Sequence, residues 1–85
     1  MRHTDMARNF AAVLRKQRKA KGVSQEILAE NADCDSTMIS LIERKIRNPS
    51  VNLADSLAQG LGVPLSQMIK EAEELRAKDR SARRR

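Results

Sequence analysis

Ser24-Gln25-Glu26-Ile27-Leu28-Ala29-Glu30-Asn31-Ala32-Asp33-Cys34-Asp35-Ser36-Thr37-Met38-Ile39-Ser40-Leu41-Ile42-Glu43-Arg44 is the stretch whose reading decides the fold. It holds two short apolar-periodic segments, each preceded by a residue suited to cap a helix. Ser24 stands before the first and Asp35 before the second, and their side-chain oxygens suit the orphan N–H groups of a first turn. Asp33 lies where the chain must reverse, and Asp tolerates the left-handed conformation better than most residues with a Cβ. Leu28, Ala29, Ala32, Cys34, Ile39 and Ile42 fall where two helices crossing steeply would touch. Ala29 is small at the point of closest approach.

Two short helices joined by a tight turn, with that apolar seam, form a helix-turn-helix, whose second helix is built to lie in the DNA major groove. The flanking sequence adds three more helices. The first is expected over Asp5–Lys21, with Met6, Phe10, Val13, Leu14 and Gln17 at helical spacing and Gly22 as its stop. After the motif, Lys45-Ile46-Arg47-Asn48-Pro49 forms a basic loop, because Pro49 disfavours a helical Asn48. Ser50 caps a fourth helix from Val51 to about Leu61, with Leu53, Ala54, Leu57, Ala58 and Leu61 inward; Gly60 weakens its last turn. Gly62-Val63-Pro64 turns the chain, and Pro64 suits the first position of a fifth helix carrying Leu65, Met68, Ile69, Ala72 and Leu75. Past Leu75 the apolar periodicity ends. Residues 1–75 thus read as one domain and 76–85 as a fraying or disordered basic tail.

Composition narrows the function. Eighty-five residues bury about 60% of their unfolded surface, enough for one small core. No run approaches a membrane span, and no apolar signal-peptide core stands at the start, so a cytoplasmic protein is expected. The single cysteine, Cys34, cannot form an internal disulfide and reads as a small apolar residue. With it and one histidine, His3, neither a zinc site nor a nucleophile–base pair is available. No catalysis, metal, cofactor or small-molecule ligand is expected.

The net charge of +6 is unevenly spread. Residues 76–85 carry +5 of it, leaving +1 for the body. Within the body the cations cluster at Arg15, Lys16, Arg18, Lys19 and Lys21, then at Arg44, Lys45 and Arg47. The acids gather at Glu26, Glu30, Asp33 and Asp35, and at Glu71, Glu73 and Glu74. Such polarisation suits a phosphate backbone, although either cluster alone could equally be a solvated face. Phe10 is the only aromatic residue. Unpaired bases therefore find no stacking platform, and double-stranded DNA is the favoured partner.

Residues 14–69 resemble the lambda-repressor-like, Cro/XRE helix-turn-helix domain. The likeness rests on Arg18-Lys19-Ala20-Lys21-Gly22-Val23-Ser24-Gln25, then Leu28-Ala29, then Ile39-Ser40-Leu41-Ile42-Glu43 leading to Arg47-Asn48-Pro49-Ser50, and finally Leu61-Gly62-Val63. It implies a compact all-α bundle of five helices that binds operator DNA as a homodimer. It implies a phosphate contact for Gln25, and base-edge positions for Ser36, Thr37 and Leu41 flanked by Met38 and Ser40. It implies DNA contact by Arg47, as in restriction–modification controller proteins, phosphate neutralisation by Arg44 and Lys45, and a structural ion pair between Arg18 and Glu43. Leu41 has an alternative reading as a core residue. The chain departs from the pattern twice, with Asp33 and Lys45 where glycine is usual.

A chain of this size must dimerise through its own body to read a two-fold operator. The excess apolar surface of the fifth helix makes Val63, Pro64, Leu65 and Met68 the expected interface. The reading is a sequence-specific transcriptional regulator acting as a homodimer on an inverted repeat. The alternative is an antitoxin or other protein-interaction partner whose helix-turn-helix is autoregulatory.

Overall fold

The computed structural model describes the backbone of residues 4–83 and the side chains of residues 6–78; His3 lies outside them. Five helices follow in order: α1 (Thr4–Ala20), α2 (Gln25–Ala32), α3 (Ser36–Glu43), α4 (Val51–Leu61) and α5 (Leu65–Arg83). Among the described residues there is no strand.

Local chemistry sets the boundaries. Ser24 Oγ accepts from the Ile27 amide at 3.0 Å, a carboxylate oxygen of Asp35 from the Thr37 amide at 3.1 Å, and Ser50 Oγ from the Leu53 amide at 3.0 Å. Each cap satisfies an N–H that the first turn leaves free. α2 ends on Asp33, left-handed at φ 56°, and the chain after α3 turns on Lys45 at φ 65°. Both non-glycine residues therefore occupy conformations that glycine takes without steric cost. α5 begins at Leu65, one residue later than the proline rule places it. Pro64 instead precedes the first turn, its carbonyl accepting from the Gln67 and Met68 amides at 3.0 and 3.3 Å.

The core is built from one stripe of each helix. Phe10, Val13 and Leu14 meet Leu28, Ile39, Ile42, Leu57, Ala58, Met68 and Ala72, all buried. α1 packs chiefly on α5 and α2 on α4, while α3 is held between α2 and α1. Gly60 has a packing reason. A Cβ there would lie 3.1 Å from the Ala32 amide nitrogen and 3.1 Å from Leu28 Cδ1, so α4 crosses α2 too closely for a side chain to fit without pushing α2 by a few tenths of an ångström.

Cys34 is half-buried against the core, less enclosed than a core residue. α5 continues through residues 76–83, the segment read as a tail. Its Arg, Lys and Ala residues are good helix formers that prolong a helix started by packing. No helix among the described residues is long and apolar enough to cross a membrane.

Candidate nucleic-acid interface

α3 is short and amphipathic. Ile39 and Ile42 are buried inward, which leaves Ser36, Thr37, Ser40 and Leu41 toward the opposite side. Thr37 is exposed; Ser36, Ser40 and Leu41 are half-exposed. Leu41 is absent from the hydrophobics packed on the core, which answers the alternative that made it a core residue. Met38 differs: it packs partly against the core, so only the remainder of its side chain faces outward. The outward face offers hydroxyls and one branched apolar side chain, with no Arg, Asn or Gln for a bidentate base contact.

The cations follow at the C-terminal end of α3. Arg44, Lys45 and Arg47 are all exposed. The left-handed Lys45 folds the loop back on the helix, so the Leu41 carbonyl accepts from both the Ile46 and Arg47 amides, at 2.9 and 3.2 Å. Those two hydrogen bonds fix where Arg47 leaves the backbone. Ile46 beside it is 60% exposed, an apolar side chain at the rim of a basic loop.

Beneath this surface lies a buried polar network. Arg18 Nε donates to Glu43 Oε2 at 2.7 Å, and Nη2 to Oε1 at 2.9 Å. Arg18 Nη1 donates to the Val23 carbonyl at 2.9 Å, tying in the loop before α2. Gln25 Nε2 donates to Glu43 Oε1 at 3.1 Å. Among the described residues Glu43 is the only buried charged one, 6% exposed, and every buried side-chain polar atom has a partner. Burial pushes the Glu43 carboxyl upward, but the hydrogen bonds from Arg18 and Gln25, with the charges of Arg18 and Arg15, outweigh it. The carboxyl is held below its ordinary value.

The network joins the end of α1, the start of α2 and the end of α3. Gln25 is the first residue of α2, where free N–H groups and the positive end of the helix face solvent. Its bond to Glu43 uses one of the two amide hydrogens and fixes the direction of the other. Sequence reasoning missed this bond and the proximity of Arg15 to Glu43. Neither has a local signature, since the bond needs the start of α2 brought to the end of α3, and the proximity needs α1 beside α3.

The expected interface residues divide. Pro64 is exposed and Leu65 half-exposed, but Val63 is 8% exposed and Met68 fully buried. Met68 therefore belongs to the core of the single chain, contrary to expectation. With one aromatic residue available, its long unbranched side chain fills the space between α1 and α5. Val63 is covered for a related reason: its amide bonds the Ala58 carbonyl at 3.0 Å, folding it onto the end of α4.

Residues 14–68 match the helix-turn-helix domain family. Control protein C.MunI from Mycoplasma sp is 37% identical over 70 residues, spanning 81% of this chain and 95% of that protein. The crystal structure of the wild-type restriction–modification controller protein C.Esp1396I has a TM-score of 0.72 at 31% identity, covering 79% of this chain and 90% of that one. That of the clp gene regulator ClgR from Corynebacterium glutamicum has 0.83 at 27% identity, covering 91% and 82%. With its capped motif, buried Arg18–Glu43 pair and basic loop, the chain belongs to the Cro/C1-type helix-turn-helix family of DNA-binding transcription regulators, and restriction–modification controller proteins are among its relatives.

Proposed function

We propose that this protein regulates transcription in the cytoplasm by binding an inverted-repeat operator in double-stranded DNA as a homodimer. The observation that carries the reading is the outward face of α3, braced from below by the Arg18–Glu43–Gln25 network and ending in three exposed cations. Ser36, Thr37, Ser40 and Leu41 face base edges, with the free part of Met38 beside them. Hydroxyls read permissively, and Leu41 packs on a thymine methyl. Gln25 presents its free amide hydrogen to a phosphate, and Arg44 and Lys45 neutralise the backbone. Arg47 reaches the DNA from the loop. Discrimination by α3 alone is modest, so two half-sites set by a dimer are needed for a specific address. Pro64 and Leu65 contribute to the dimer seam.

Selection from a random duplex pool, with sedimentation of the complex, tests this. The expected result is an inverted repeat with half-sites about one helical turn apart, bound by two chains. Gln25→Ala and Arg44→Ala weaken binding to all sequences alike, whereas Thr37→Ala alters which sequences are enriched. No enrichment by the wild type, or one-to-one binding, overturns the reading.

A further inference from the structure

α1 carries cations that the helix-turn-helix does not use. At about 100° per residue, Arg15 lies roughly 60° and Lys19 roughly 100° around the same flank of the helix from Arg18, with about 40° between Arg15 and Lys19. Arg18 faces Glu43, at the end of α3, so this flank borders the loop carrying Arg44, Lys45 and Arg47. Arg15 is also among the charges acting on the Glu43 carboxyl, after burial and the hydrogen bonds of Arg18 and Gln25. Both side chains are exposed.

Their charge is surplus. Arg18 and Glu43 cancel each other, and among the described residues neither Arg15 nor Lys19 has a carboxylate within salt-bridge distance. Lys16 makes the contrast. It lies roughly 160° around α1 from Arg18, in the groove that Ala12 and Val13 form with Glu71, Glu74 and Leu75 of α5. Arg15 and Lys19 on α1, and Arg44, Lys45 and Arg47 after α3, are thus five exposed cations on elements that the buried Arg18–Glu43 pair joins. An unbalanced cationic edge continuous with a DNA-facing loop is complementary to a second run of phosphates.

We infer that Arg15 and Lys19 form a second phosphate-binding edge, gripping the DNA backbone beside the half-site that α3 reads. The inference rests on the DNA-binding reading above and extends its footprint from the helix-turn-helix to α1. The edge carries no sequence information; it fixes how the motif sits on the duplex.

The test is the salt dependence of binding to a mixed-sequence DNA duplex. The double variant Arg15→Gln/Lys19→Gln should lower the log–log slope by about 1.8, or roughly 0.9 per phosphate released. Its affinity gap from the wild type should then shrink about 12-fold between roughly 50 and 200 mM salt. Arg15→Lys should keep the wild-type slope, because the charge is what matters. Lys16→Gln, which removes one charge from the groove facing α5, should leave the slope near wild type. Thermal melting without DNA should be unchanged for all of them. A double variant with the wild-type slope, or a Lys16→Gln loss as large as half that of the double variant, overturns the inference while the DNA-binding reading stands. A wild type that binds no duplex at any salt overturns that reading, and the inference with it.

Discussion

Arg18 and Glu43 are joined by two charge-assisted hydrogen bonds, 2.7 and 2.9 Å long, that lock the last turn of α1 to the end of α3. Both side chains are largely enclosed, at 11% and 1% exposed. Removing one partner strands the other, which costs about 3–5 kcal/mol for a buried pair. The upper figure does not apply, since Arg18 keeps the Val23 carbonyl. Glu43→Ala should therefore cost about 3 kcal/mol and lower the melting temperature by at least roughly 12 °C without DNA, since a domain of this size shifts by about 4–8 °C per kcal/mol. Circular dichroism melting checks it; an unchanged midpoint would return both residues to a surface role.

The same pair sets a pH dependence. Glu43 in the folded chain titrates below its ordinary value of 4.5, so the unfolded chain binds its proton first as pH falls. Its stabilising contribution is complete above about 4.5 and disappears as pH drops through the folded value. Melting temperature measured from neutral to acid pH should fall below that point. Glu43→Gln, which has no carboxyl to titrate, should start lower and decline less.

Gly60→Ala should destabilise the chain although alanine is the better helix former. Propensity favours alanine by about 1 kcal/mol. Against it stands a methyl group 3.1 Å from the Ala32 backbone nitrogen, which can yield only by moving α2. Overpacking of this kind costs about 1–3 kcal/mol. Urea unfolding should show a net loss; a gain would mean that α2 and α4 can part freely.

Lys45→Gly should separate stability from binding. The left-handed conformation costs a residue with a Cβ about 1–2 kcal/mol, partly offset because glycine gains about 0.4–1 kcal/mol of freedom on unfolding. The melting temperature should rise by a few degrees. DNA binding should meanwhile weaken and lose about 0.9 of its salt slope, because a phosphate-neutralising charge is gone. Calorimetry and a salt titration on one preparation measure both.

Met68→Lys and Leu65→Glu should behave oppositely. Lysine at a fully buried position has no partner, so Met68→Lys should unfold the chain rather than divide a dimer. Leu65 is half-exposed at the start of α5, where an acid also suits the helix dipole. Leu65→Glu should keep its helical content and sediment as a monomer. Helical content and sedimentation at several concentrations distinguish the two; a Leu65→Glu protein that still dimerises would move the seam elsewhere.

The helices and their ends were legible in the sequence because their causes are local. Ser24, Asp35 and Ser50 act on amides two or three residues away, and apolar spacing marks which side of each helix turns inward. What the sequence could not fix is how apolar residues divide between the core of one chain and a surface for another. Met68 and Leu65 look alike in sequence and share a helix, yet packing against α1 buries one completely and leaves the other half open. Gly60 reads as a weak point until α2 is seen to cross it within contact distance. The bond from Gln25 to Glu43 spans 18 positions, and the nearness of Arg15 to Glu43 joins two helices far apart in the chain. Caps and turns depend on neighbours in sequence; burial, charge balance and the shape of the binding edge depend on which helices the core brings together, and only the tertiary structure decides that.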